Sequence, residues 1–508
     1  MLLRCLRSAT RRRLLACRPL ASWAPRSIDS ADDGSKPLVL LERGELGYPG
    51  SKKTLYLKEY RIEHPTEGGH IVVGPNGSGK TLLSQALVQP EQFIRDGRSE
   101  RPSHRNAVAH VSFQSHQKLL EAEELTVTHA IGNGTNLTKA AQFLVVRFGM
   151  FHLLHRQVRT LSTGEIRKVL IIRALAQRPK LLILDHAFDG LDPPSRRLLQ
   201  QLISQTLRGF RQDVLVQAVD SRSTAHTQVL LLTHRPSDEL VPEMRHVLKL
   251  PEGTASVLDA SIDLHGCNDT SLSLPPRDEI RNWWGQRTIT SEVLVQTSDL
   301  QLQRGSSILL QDLTWCVRAG DRWWIAGGNG QGKSTLSRLL VDAPKAPVDG
   351  LEVFYKTNEV SIVSTETHMA LSSSTVTLDE LVADRTVLSW FFDQSLWDRP
   401  FSELSQGQQK LGLISLALSA KPRLLILDEV SQGLDSTNRA YVARIVDRLC
   451  QVLGNELSLI YITHHWDEVP QQTSHAMHLK GGRPAYCGCL RGYDPEAHHN
   501  HDARLDED

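Results

Sequence analysis

The sequence predicts an α/β chain built twice, as two tandem domains that each hold a mostly parallel sheet core. Three observations carry that expectation. A glycine-rich loop between an apolar strand and an apolar helical segment occurs in each half. A continuous apolar strand ending in aspartate follows in each half, and a Ser-x-Gly helix start precedes that aspartate by the same 23 residues both times.

The loops come first. Ile71-Val72-Val73 runs into Gly74-Pro75-Asn76-Gly77-Ser78-Gly79-Lys80-Thr81, and Trp324-Ile325-Ala326 runs into Gly327-Gly328-Asn329-Gly330-Gln331-Gly332-Lys333-Ser334. Both fit Gly-x-x-x-x-Gly-Lys-Ser/Thr after a strand and before a helix, the context that makes the pattern a phosphate cradle. Glycine lets backbone N–H groups curl around phosphate oxygens where a Cβ would intrude. Lys80 and Lys333 are placed to reach the terminal phosphates, and Thr81 and Ser334 to offer a hydroxyl to Mg²⁺.

The second mark is Leu181-Leu182-Ile183-Leu184-Asp185, repeated as Leu424-Leu425-Ile426-Leu427-Asp428. An uninterrupted apolar run suits a central parallel strand covered on both faces. Asp185 and Asp428 then stand at the carboxyl end of the sheet, where doubly wound folds bind ligands, and are candidates to hold the metal. The third mark is Leu161-Ser162-Thr163-Gly164-Glu165 and Leu404-Ser405-Gln406-Gly407-Gln408, each opening a helical segment. Serine caps a helix start, and a capped helix start also binds anions.

This ordered set, with Gly190-Leu191-Asp192 and Gly433-Leu434-Asp435 and then Thr233-His234 and Thr463-His464, resembles the ATP-binding cassette (ABC) superfamily over residues 36–485. The segments "LLILDEVSQGLD" and "YITHHWDEVP" are most similar to its soluble twin-cassette ATPases, the bacterial proteins associated with molybdate-transport operons or named for photorepair and their organellar relatives. The resemblance implies two P-loop NTPase domains, each with a helical signature subdomain. It also implies ATP with Mg²⁺ sandwiched between the phosphate loop of one cassette and the signature of the other, in an intramolecular pseudo-dimer. Site one would join Lys80, Thr81, Asp185 and His234 to Ser405 and Gly407. Site two would join Lys333, Ser334, Asp428 and His464 to Ser162 and Gly164. Gln114 resembles the glutamine that links the metal to a partner surface, whereas the second half offers Thr365 and Glu366 there.

The halves differ after the strand-end aspartate. Site two has Glu429, which can polarise an attacking water, and site one has His186. A histidine general base is one reading of His186. The preferred reading is a site that holds ATP and turns over poorly. Tyr48 is a candidate adenine platform for site one, and residues 292–314 contain no aromatic to serve site two. Trp283-Trp284 and Trp323-Trp324 read as packing residues.

Composition narrows the classes. Lys and Arg total 58 against 57 Asp and Glu, but seven arginines fall in residues 1–28, ahead of the first acid at Asp29. The remaining chain therefore holds 51 basic against 57 acidic side chains. An acidic body argues against a broad nucleic-acid surface, which needs a positive field. No apolar run approaches the roughly 18 residues of a membrane span. Seven scattered cysteines without a paired CxxC framework suit a reducing compartment. Cys487 and Cys489 fit no usual zinc spacing. Residues 1–30, arginine-rich and amphipathic, read as a mitochondrial presequence, with a plastid or cytoplasmic location as the alternative.

The expected organisation is an address segment at 1–30, cassette one at 36–262, a linker at 263–290, cassette two at 291–487 and a flexible tail at 488–508. The expected partner is a separately encoded membrane transporter subunit. A ribosome- or nucleic-acid-associated ATP switch is the alternative.

Overall fold

A computed structural model describes residues 38–48, 54–62, 68–100, 108–121, 124–132, 136–208, 227–233, 239–250, 254–257, 273–286, 292–304, 307–346 and 348–493. The address segment at 1–30 and His234 lie outside the described residues.

Two six-stranded sheets share one topology. In the first, the spatial order is Val108–Val111, Leu181–Asp185, Gln228–Leu232, Gly69–Val73, Met244–Lys249 and Thr254–Val257. In the second it is Val360–Val363, Leu424–Asp428, Ser458–Ile462, Arg322–Gly327, His475–Lys480 and Arg483–Cys489. The first five strands of each pair in parallel and the last turns antiparallel. The strands that run into the aspartates are apolar up to that acid, and those that run into the phosphate loops are apolar apart from His70 and Arg322, because helices and a second sheet cover both faces. Leu181–Asp185 and Leu424–Asp428 are buried at every residue. The covering sheet is a three-stranded antiparallel layer, Thr54–Ile62, Val39–Gly47 and Ile94–Glu100 in the first half and Ser307–Arg318, Val293–Arg304 and Leu351–Val353 in the second.

The helical elements from Phe113 to Ala176 in the first half and from Thr365 to Ser419 in the second form the other layer. Their cores are separate: Leu144, Val145, Phe148 and Met150 pack with Ile166, Val169 and Leu170 in the first half. Val387, Leu388, Trp390 and Phe391 pack with Leu411, Leu413 and Ile414 in the second. Trp323 and Trp324 are buried, 4% and 0% exposed, and Trp324 donates its indole N–H to Thr463 O at 3.1 Å, beside the histidine loop.

The linker stretch holds more than a spacer. Arg277–Trp284 forms a helix whose Ile280 and Trp284 are buried in the second domain's core. Trp283 packs edge-on against Trp390 with centroids 4.9 Å apart, its N–H bonds Asp384, and the Lys421 ammonium sits 5.0 Å from its ring centroid. Trp390 in turn donates to Glu279 at 2.7 Å. The same helix reaches Gln451 through Arg277 and Glu456 through Arg281. It therefore fastens the helical layer of cassette two to the end of helix Ser436–Leu453. At the other boundary the second domain packs as far as Tyr493, whose hydroxyl lies 2.8 Å from His478 Nδ1 and whose ring meets Trp324.

Removing a packed indole costs about 3–5 kcal/mol. Trp283→Ala is expected to lower the stability of cassette two by about 3 kcal/mol at a half-buried site. A urea or thermal transition followed by tryptophan fluorescence checks this.

Candidate functional site

Each phosphate loop is shaped by its own lysine. Lys80 Nζ donates to Gly74 O and Pro75 O at 2.5 and 2.9 Å, and Lys333 Nζ donates to Gly327 O and Gly328 O at 2.7 and 2.8 Å. Helices Lys80–Val88 and Lys333–Asp342 begin after glycines with φ of 99° and 92°, a left-handed pose that side chains resist. On the following turn Ser84 donates to Asp185 Oδ2 at 3.0 Å, and Ser337 to Asp428 Oδ2 at 3.1 Å. The other oxygen, Oδ1 of each aspartate, is buried without a hydrogen-bond partner. A buried carboxylate oxygen left bare beside a Thr or Ser hydroxyl is what a hard divalent cation would satisfy. The residues present thus fit Mg²⁺.

Ser162 and Ser405 are the expected N-caps. Each accepts from the backbone N–H three residues on, and Glu165 and Gln408 close the reciprocal half of the capping box. Each of these helix starts faces the opposite phosphate loop. Asn76, Gly77, Ser78, Gly79, Lys80, Thr81, Gln114 and His186 share one cavity of about 410 Å³ with Ser405, Gln406 and Gln408. Asn329, Gly330, Gln331, Gly332, Lys333, Ser334 and Glu429 share another of about 420 Å³ with Ser162, Thr163 and Glu165.

The glycine of each signature makes this approach possible. A Cβ on Gly164 would lie 2.1 Å from Asn329 Nδ2 and 2.6 Å from Gly190 O, and one on Gly407 would lie 1.9 Å from Asn76 Nδ2. The first signature positions, Thr163 and Gln406, are accommodated without being glycine. Tyr48 and Leu55 wall the first cavity, with Tyr48 edge-on to Phe93 at 5.9 Å, and Leu309 stands in the second.

His186 and Glu429 occupy the same backbone pose, both with φ of 51°. Their amides donate to Leu232 O and Ile462 O at 3.0 and 2.9 Å. The side chains then diverge. Glu429 Oε1 lies 3.0 Å from His464 Nε2, and Oε2 accepts from Gln432. His464 Nε2 also lies 3.1 Å from Asn329 Oδ1 and 3.3 Å from Lys333 Nζ. Burial raises the Glu429 carboxyl, but the His464 hydrogen bond and the charges of Lys333 and Lys410 prevail and hold it below its ordinary range. Burial, and then the Glu429 charge, push Asp428 up to about 6. Burial lowers His464 and His186 below the usual imidazole range, so both are neutral near pH 7. Site two thus has an ionised carboxylate held by a neutral imidazole. Site one has an imidazole whose Nε2 is 3.4 Å from Asp185 Oδ1.

Several contacts across the seam, and some residues beside it, were invisible to motif reading. Asn329 joins the repeats, donating to Gly190 O at 2.7 Å while meeting His464. Asp435 Oδ2 accepts from Asn76 N at 2.8 Å across the other seam. Phe113 stacks on His368 with centroids 4.6 Å apart, and Gln117 bonds Ser372. Arg156 and Arg399 line the two cavities from the signature side, each six residues ahead of the capping serine. That repeated offset was the one available signal. No group of three metal-ligating His, Cys, Asp or Glu occurs among the described residues, and no described helix is long and apolar enough to cross a membrane.

Two nucleotide cavities, each closed by the signature helix of the other repeat, define a tandem ATP-binding cassette ATPase. The ABC transporter family model matches residues 58–189 and 310–432. The chain is 31% identical over 463 residues to the ABC transporter ATP-binding protein ModF of Escherichia coli, covering 80% of this chain and 90% of that protein. It is 24% identical to an uncharacterized ABC transporter ATP-binding protein of Schizosaccharomyces pombe, over 86% and 92% of the two chains. Among solved structures, the archaeal ribosome recycling factor aABCE1, in complex with a stalk protein, aligns with a TM-score of 0.54 at 18% identity over 91% and 92% of the chains. The chain belongs to the ABC superfamily and is an ATPase of that class.

In the closed arrangement any side chain at position 164 collides with backbone as well as with Asn329. Gly164→Val is expected to cut ATP turnover by about tenfold or more, equivalent to about 1.4 kcal/mol or more. It should leave nucleotide binding to the isolated phosphate loops in place. Steady-state ATPase measured beside equilibrium ATP binding separates the two effects.

Proposed function

We propose that ATP is clamped at both seams, that the Glu429 site hydrolyses it, and that the His186 site mainly holds the closed form. The observation that carries this reading is the 3.0 Å pairing of an ionised Glu429 with His464 in a cavity whose counterpart offers a neutral histidine. Hydrolysis of a phosphoanhydride needs positioning and charge neutralisation more than covalent chemistry. Lys333 would exchange its loop carbonyls for phosphate oxygens. The Ser162 helix start would donate to the terminal phosphate from the far side. Glu429 would accept the proton of the attacking water, with His464 holding the carboxylate in place. Mg²⁺, when bound through Ser334 and Asp428, would neutralise charge on the phosphates. At site one Thr81, Asp185 and Gln114 would do the same, with His234 in the role of His464.

Glu429→Gln is expected to reduce steady-state ATPase by about 100-fold, the scale of a lost general base. His186→Ala should change it by less than about threefold, since only turnover at the slow site is touched. Equal losses would overturn the assignment.

We infer further that opening and closing drive a partner, in the first instance a separately encoded membrane transporter subunit. The family name borne by the relatives and the lack of a spanning helix among the described residues support it. The arginine-rich start, free of acids up to Asp29, supports delivery to mitochondria. Fractionation of tagged Glu429→Gln with ATP tests both parts. Co-sedimentation with mitochondrial membranes is expected. Co-sedimentation with ribosomes would favour the ATP-switch alternative, and a plastid or cytosolic pool would reject the address.

A further inference from the structure

The exchange of Glu429 for His186 also changes which donor atoms stand beside the strand-end aspartate of site one. Asp185 is 1% exposed, its Oδ2 is taken by Ser84, and its Oδ1 has no hydrogen-bond partner. His186 is itself 6% exposed, and its Nε2 lies 3.4 Å from that same Oδ1. Neighbouring donors about 2.1–2.2 Å from an octahedral ion stand roughly 3 Å apart. The imidazole nitrogen and the bare carboxylate oxygen are therefore spaced as adjacent members of one coordination shell. Thr81 and Gln114 line the same cavity as His186 and bring further oxygen donors.

Site two is built otherwise. Asp428 Oδ1 is equally bare, but the next side chain carries oxygens, one drawn to His464 and one to Gln432. The adjacent strand repeats the contrast. His110 stands opposite Ile183 with a buried Nε2 that has no hydrogen-bond partner, while the matching position opposite Ile426 is Ile362. An imidazole nitrogen in the shell favours borderline divalent ions over Mg²⁺, which prefers oxygen.

We propose that His186 is a direct ligand of the nucleotide-associated divalent ion at site one, and that this site takes Mn²⁺ or Co²⁺ in preference to Mg²⁺ while site two keeps an all-oxygen shell. The inference rests on the reading that site one holds a nucleotide. Protein side chains supply too few donors alone, so phosphate oxygens and water complete the shell and the ion arrives with ATP.

The test uses the full chain carrying Lys333→Ala, loaded with Mn²⁺ and ATP, and pulsed electron paramagnetic resonance. Nitrogen modulation of the bound Mn²⁺ is expected, and it should change to the ¹⁵N pattern in protein labelled with ¹⁵N-histidine, which separates the ring from adenine. The signal should vanish in His186→Glu, the residue type site two carries naturally, and should be absent in the Lys80→Ala chain, which loads site two alone. ATP binding at site one should be about tenfold tighter with Mn²⁺ than with Mg²⁺, falling to under about threefold in His186→Glu. Bound Mn²⁺ and ATP without histidine nitrogen would overturn the proposal. Failure of the Lys333→Ala chain to bind Mn²⁺ with ATP at all would instead overturn the reading of site one as a nucleotide site, and this inference with it.

Discussion

The close approach of each signature helix to the opposite phosphate loop governs the rest of the molecule. Gly164 against Asn329 and Gly407 against Asn76 leave no room for a Cβ, so an asparagine side chain of each repeat lies directly on the signature backbone of the other. A capped helix start brings its partial positive charge to one side of each cavity, and the lysine loop brings its own to the other. Each cavity is thus walled by both repeats. On the proposed reading, ATP bound at a seam would couple its binding energy to how the repeats sit against each other.

Within that near-symmetric frame the backbone presents chemically different groups in one pose. The shared φ of 51° at His186 and Glu429 and the matched amide bonds to Leu232 and Ile462 show that strand and turn geometry is indifferent to the side chain. A second contrast lies behind the histidine loops. Glu468 accepts from Thr463 at 2.8 Å and also from Ser431, tying the loop that carries His464 to the turn after Glu429. In the first half Glu239 accepts from Thr233, but Phe188 stands where Ser431 would be. The buried glutamate thus ties two loops together in cassette two, and the position that supplies the second hydroxyl there is phenylalanine in cassette one.

The helix Arg277–Trp284 adds an asymmetry outside the sites. It packs on the helical layer of cassette two through Trp283 and Trp390 and on helix Ser436–Leu453 through Ile280 and Trp284. That contact adds to the Tyr441–Trp390 and Tyr441–Phe391 contacts that already join the two layers.

The sequence alone was enough for everything that depends on spacing along the chain. The loop pattern, the buried strand ending in Asp185 or Asp428, and the Ser-x-Gly helix start are local, because strand, turn and cap chemistry act over a few residues. The Glu429 and His186 difference was legible for the same reason. The linker helix was missed because Ser, Thr and Pro dominate its approach, and its helical signal came from packing of Ile280 and the tryptophans. Only the tertiary structure decided what meets across the seam: Asn329 with Gly190 and His464, Asn76 with Asp435, and the imidazole nitrogen of His186 with the bare oxygen of Asp185. Those contacts bring together residues far apart in the chain or turn on where a side chain swings, and neither property is written in residue order.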